Sequence, residues 1–174
     1  GRTPAQGNRL DPWYDVYADR AHNLRASEIR ALFSVVSRPE VVSLAGGMPN
    51  LKDLPLDRLA ASAEKLIRNH GAQAMQYGSG QGWEVLRERI TEVMAYDGIV
   101  GADPDDVVVT TGSQQALDLV TELFVNPGDV ILAEAPSYVG ALGVFRARQA
   151  DIVHVPMDEN GIIPEALEET IRDV

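Results

Sequence analysis

From Val107 onward the chain alternates short apolar, β-branched runs with helix-period segments, three times over. Val107–Thr110, Val130–Ala133 and Ile152–Val155 read as strands. Ser113–Val125, Ser137–Arg148 and Pro164–Arg172 read as helices, the last with a proline in its first turn, where no N–H is needed. Each strand is nearly all apolar, so both of its faces must be covered. A strand that returns by way of a helix runs parallel to the one before it. The predicted fold class is therefore α/β, a mostly parallel sheet with helices on both faces. Three strands are few for such a sheet, so the chain is expected to be the first part of a larger domain.

Upstream the pattern is helical. Residues 1–21 are polar, with Pro4, Gly7 and Pro12, and read as an arm or linker. Ile29, Leu32, Phe33 and Val36 follow helical spacing until Pro39. Residues 41–50 read as a short strand ending in a Gly-Gly turn. Leu56, Leu59, Ala63, Leu66 and Ile67 share one helical face, with Gly71 as the expected stop. Leu86, Ile90, Val93 and Met94 share another, with Gly98 ending that helix. In the helix after Ser113, residues Ala116, Val120, Leu123 and Phe124 are expected to face inward.

Several chemistries drop out. The chain has no cysteine, which removes disulfides and thiolate sites. Its net charge is -11, with acidic residues dispersed and no basic face for nucleic acid. No apolar run reaches the length of a membrane span, and residues 1–23 lack a signal-peptide core, so a cytoplasmic protein is expected. His22, His70 and His154 are scattered without ligand spacing, so no metal site is expected. Asp103, Asp105 and Asp106 surround Pro104 and read as a turn. The lysines are Lys52 and Lys65, neither in a recognisable catalytic setting.

Three segments could carry chemistry. In "TTGSQQ" (110–115), Gly112 allows a tight turn and Ser113 can cap a helix or bond an anion. The N–H groups of Ser113, Gln114 and Gln115 point out of the helix end. The local pattern leaves an anion site and a plain serine cap both open, and the plain cap is the commoner. "QYGSGQGW" (76–83) has the spacing G-x-G-x-G but follows no strand, so a dinucleotide fingerprint is discounted in favour of a loop before a helix. Tyr77 in it either packs the loop or reaches a ligand. "AEAPSYVG" (133–140) lies beyond the carboxyl end of a strand, where open parallel sheets bind ligands. Tyr138 there either stacks on a flat ligand or packs on the sheet edge.

Together, "SLAGGMPN", "MQYGSGQGWEVLRERI", "VVVTTGSQQALDLV", "NPGDVILAEAPSYVGAL" and "DENGI" resemble the fold-type I, pyridoxal-phosphate-dependent aminotransferases of class I/II. The likeness is nearest to the α-aminoadipate and kynurenine aminotransferase branch. The segments occur in family order over roughly residues 25–174. The resemblance implies the large domain of the fold-type I PLP-transferases, incomplete in this chain. Residues 1–50 would be an arm and part of the small domain, and residues 51–174 the first part of the cofactor-binding large domain.

It further implies pyridoxal 5′-phosphate as cofactor, with Gly112, Ser113 and Gln114 at its phosphate and Tyr138 stacked on its ring. Tyr77 would reach the phosphate of the neighbouring subunit's site in a homodimer with shared active sites. Gly47 and Arg30 would meet the amino-acid and 2-oxo-acid substrates. The family's Schiff-base lysine, its pyridine-nitrogen aspartate, its ring-oxygen asparagine and its carboxylate-binding arginine are expected beyond Val174. No catalytic residue is therefore assigned, and the chain alone is expected to be inactive. The family fold also inserts later strands beside Val107–Thr110, so that strand is expected to lack its neighbours here. Two alternatives remain: the effector domain of a transcription regulator, which shares this fold, and a truncated chain with an interaction role only.

Overall fold

The computed structural model describes residues 11–22, 38, 40–42, 47 and 49–174. The chain divides into two compact units, residues 36–110 and residues 111–174 with 1–35. The predicted helix after Ser27 lies outside the described residues. Val41 and Val42 are in no strand, and most of the rest of that predicted segment is likewise outside.

The unit holding residues 111–174 carries the sheet. After the short helix α1 (Asp19–His22) its elements are α4 (Ser113–Phe124), β1 (Val130–Ala135), α5 (Val139–Ala147), β2 (Asp151–Asp158), β3 (Gly161–Ile162) and α6 (Pro164–Asp173). β1 and β2 are parallel and in unbroken register from Val130 opposite Asp151 to Ala135 opposite Pro156. That is the geometry expected when a helix returns the chain to the same sheet. β3 adds a short antiparallel turn-back, with Asp158 opposite Gly161. The Asp158 carboxylate accepts from Asn160 N at 2.7 Å and closes that turn. Val155 is fully buried, with Ala133, Val144 and Thr121 also in the core. Burial of Val155 alone is worth about 1.5–3 kcal/mol.

The helix pair α4 and α5 is clamped at one end. Arg148 donates to Asp118 at 3.0 and 3.2 Å and to Glu122 at 2.9 Å. The hydrogen bond to Asp118, outweighing desolvation and backed by the charges of Asp118 and Glu122, raises the Arg148 pKa above its ordinary value. Arg148→Met is expected to lower the melting temperature, and raising the salt concentration should shrink the gap between variant and wild type, because exposed ion pairs are screened. A gap that does not change with salt would show that the clamp acts through packing.

The other unit holds α2 (Leu56–Ala74) and α3 (Glu84–Tyr96). Gly71 does not stop α2. The helix bends at His70 (φ -135°, ψ 19°) and runs on to Ala74. Gly71 is not in the left-handed region a C-terminal glycine would adopt. Gly98 does end α3. At φ 84° it donates to Ala95 O, and Ile99 N donates to Met94 O, the paired bonds of a Schellman motif.

Two expectations about packing fail for one reason. Leu123 and Phe124 are each 77 % exposed, and Val120, Leu86 and Val93 are exposed as well. Ala116, Ile90 and Met94 are only half-buried. Val107–Thr110 forms no strand, although Val107 is extended at φ -98°, ψ 129°. The apolar faces lie where the pattern puts them, but no element among the described residues covers them, and Val107–Thr110 joins no sheet, Val109 N donating instead to Gln81 O of the glycine loop. The second half of that outcome was expected from the strands that the family fold inserts beside Val107–Thr110.

Candidate functional site

Helix α4 begins in a way the sequence only half discloses. The cap is Gly112, not Ser113, and no side chain caps the helix. Gly112 sits at φ 78°, ψ 167°, a region open essentially to glycine alone. Ser113 is thereby moved one place inward, to the first helical position, where it is exposed. A helix leaves its first N–H groups without intrahelical acceptors, and here no acidic residue occupies the first turn. Gln115 N does not point out as the sequence suggests but donates to Gly112 O at 3.2 Å, so the end of α4 presents the Ser113 and Gln114 amides, a hydroxyl and the positive pole of the helix dipole to solvent.

The two glutamines have separate tasks. The Gln115 side chain turns back and accepts from Thr111 N at 2.5 Å, which fixes the turn entering the helix. Gln114 Nε2 donates to the Gly140 carbonyl at 3.0 Å, in the first turn of α5. That bond joins the ends of α4 and α5 at the carboxyl end of β1. Tyr138 is the cap residue of α5 (φ -64°, ψ 119°) and is 63 % exposed. The extended backbone at Tyr138 delays α5 to Val139, two residues later than its sequence pattern predicts. Ser137 Oγ donates to Glu134 O within the intervening turn.

The structure therefore brings together Gly112, Ser113, Gln114 and Tyr138. Gly140 was missed by the sequence reading, because a glycine inside a helix pattern carries no signal beyond a poor propensity. Gly47 (φ 60°) and Tyr77 belong to the other unit, and Arg30 lies outside the described residues. Tyr77 is 96 % exposed and borders a 590 Å³ cleft with Gln73, Trp83 and Arg87. Its glycine loop is not free. Gln81 O accepts from Val109 N at 2.8 Å, and Gln81 Nε2 donates to Asp105 O at 3.0 Å. Arg87, buried, donates to Pro104 O at 2.6 Å and to Asp105 at 3.0 Å. Among the described residues no cluster of three or more His, Asp or Glu could hold a metal ion, and no helix is long and apolar enough to cross a membrane.

The sequence pattern of the family described as aminotransferase class I and II matches residues 39–174. The chain belongs to the class I and II aminotransferases. Among these aminotransferases, the aromatic-amino-acid aminotransferase 1 of Thermococcus litoralis is 37 % identical over 91 % of this chain. The 2-aminoadipate transaminase of Thermus thermophilus is 38 % identical over 92 %. The chain spans only 38 % and 39 % of these relatives' own lengths. A crystal structure of the α-aminoadipate aminotransferase of Thermus thermophilus, complexed with N-(5′-phosphopyridoxyl)-L-leucine, superposes with a TM-score of 0.80 at 36 % identity. It covers 92 % of this chain and 38 % of the other. The fold is thus that of the fold-type I aminotransferases.

Proposed function

We propose that the chain is the N-terminal part of a pyridoxal-phosphate-dependent aminotransferase that exchanges an amino group between an amino acid and a 2-oxo acid. The observation that carries this reading is the α4 helix end. It is capped by a glycine, free of acidic residues in its first turn, and tied through Gln114 and Gly140 to the ledge bearing Tyr138. Amide N–H groups and a hydroxyl at a helix N-terminus suit a phosphate dianion, and an exposed tyrosine ring beside them suits a flat heteroaromatic. The residues fit the cofactor that the family uses.

In this reading Ser113 gives its hydroxyl and N–H to the phosphate. Gln114 gives its backbone N–H only, because its side chain is engaged by Gly140. Tyr138 bears on the ring and holds its orientation. The bound cofactor supplies the electron sink that makes the Cα–H bond of an amino acid labile. Tyr77, solvent-exposed in its loop, serves the phosphate of a neighbouring subunit's site in a homodimer, and Gly47 and Arg30 serve the substrates. Lys52 and Lys65 lie in the other unit, on exposed surface, and neither is assigned the Schiff base.

The reading is tested by assaying the protein at the full length of its relatives. Uptake of pyridoxal phosphate with a visible absorbance band, and transamination with an amino-acid panel, is the expected result. Uptake without transamination would favour the regulator reading, and no uptake would favour a purely structural role. The 174-residue chain assayed alone is expected to show no turnover above background. Measurable turnover there would overturn the assignment of the essential lysine to a segment outside it.

A further inference from the structure

We propose that Gly140 is a positioning residue for Tyr138, and this rests on the site reading above. Gly140 is the second residue of α5 and has ordinary helical geometry. Glycine brings nothing to such a position, since alanine holds a helix better. What a side chain would meet accounts for it. A Cβ on Gly140 would lie 2.5 Å from Cε1 and Cζ of Tyr138 and 2.6 Å from its hydroxyl oxygen. One edge of the ring therefore rests on the bare Cα of Gly140. The carbonyl of the same residue is held by Gln114 Nε2 at 3.0 Å. Gln114 is the second residue of α4, so the surface under the ring is tied to the helix end that holds the phosphate.

This arrangement sets where the ring lies relative to that helix end. An added methyl group cannot share the space. The cheapest response is rotation of the exposed ring outward, because the contacting atoms are the free end of a rotatable side chain. The backbone and the core need not move. Gly140→Ala is therefore expected to keep or raise thermal stability while weakening pyridoxal phosphate binding about three- to tenfold, the worth of one aromatic stacking contact.

The test is a double-mutant cycle in the full-length holoenzyme, comparing wild type, Gly140→Ala, Tyr138→Ala and the double variant. For each, the pyridoxal phosphate dissociation constant is measured by titrating the apo form, and the circular dichroism of the bound cofactor is recorded. The expected result is a three- to tenfold weaker dissociation constant and altered dichroism for Gly140→Ala. In the Tyr138→Ala background the same change should have less than about a twofold effect, since residues that act through one another are not additive. Wild-type binding and dichroism in Gly140→Ala would overturn the proposal, as would an equal loss in both backgrounds. In both cases the site reading stands, because wild type still takes up cofactor. Failure of wild type itself to take up cofactor sinks the site reading and this inference together.

Discussion

Gly112→Ala is expected to lower stability by about 1–3 kcal/mol and to weaken pyridoxal phosphate binding at least about tenfold. The cause is the backbone alone. Gly112 holds φ 78°, ψ 167°, yet a Cβ there would meet nothing within 4 Å. No neighbour is crowded, so repacking cannot relieve the strain. Relief comes only by rotating φ, which re-aims the N–H groups of Ser113 and Gln114 at the point where α4 begins. Two measurements on the full-length protein read this out, the urea midpoint and a cofactor titration. Gly143→Ala serves as control. It lies inside α5 with open space around it and ordinary φ, and there alanine should be neutral or stabilising. Equal behaviour of the two variants would remove Gly112 from the account.

The second large effect lies in the other unit. Gly82→Ala is expected to cost about 2–4 kcal/mol, from left-handed strain plus overpacking. Gly82 has φ 103°, and a Cβ would fall 2.6 Å from Val109 Cγ2 and 2.7 Å from Val109 Cβ. Valine is stiff at χ1 and cannot swing aside. Its backbone is also held, since Val109 N donates to the adjacent Gln81 carbonyl at 2.8 Å. The loop and the segment must therefore part. Gly80→Ala, two residues away, meets nothing within 4 Å and has no left-handed φ, so its effect should stay within about 0.5 kcal/mol. Comparable losses at Gly80 and Gly82 would show that loop flexibility matters, and not the approach to Val109.

These two glycines mark what the sequence discloses and what it withholds. Periodicity carried the order of elements from Ser113 to Asp173 apart from the two-residue strand β3, the parallel pair β1 and β2, and the stop at Gly98, because each follows from local spacing and local backbone chemistry. It misplaced the α2 stop, since Gly71 looks like a terminator but takes helical geometry beyond the bend at His70. It also placed Leu123 and Phe124 inside. An amphipathic pattern says which face is apolar, while burial needs a covering element, which the described residues do not supply. Among the candidate site residues, Tyr138 was legible as lying beyond the carboxyl end of a parallel strand, while the 112–114 turn reads locally as a plain cap or an anion site and only the family resemblance favours the second. The change of cap from Ser113 to Gly112 was not legible, because it depends on a dihedral angle. Gly140 was silent because its contact is to a side chain whose rotamer no spacing rule encodes.

The central claim is that the amino end of α4 holds the cofactor phosphate. The most direct measurement is a crystal structure of the full-length protein with pyridoxal phosphate bound. The account predicts phosphate oxygens within hydrogen-bonding reach, about 3 Å, of the Ser113 hydroxyl and of the Ser113 and Gln114 amides, with the Tyr138 ring against the pyridine. A phosphate bound elsewhere, with the α4 end left to water, would contradict it.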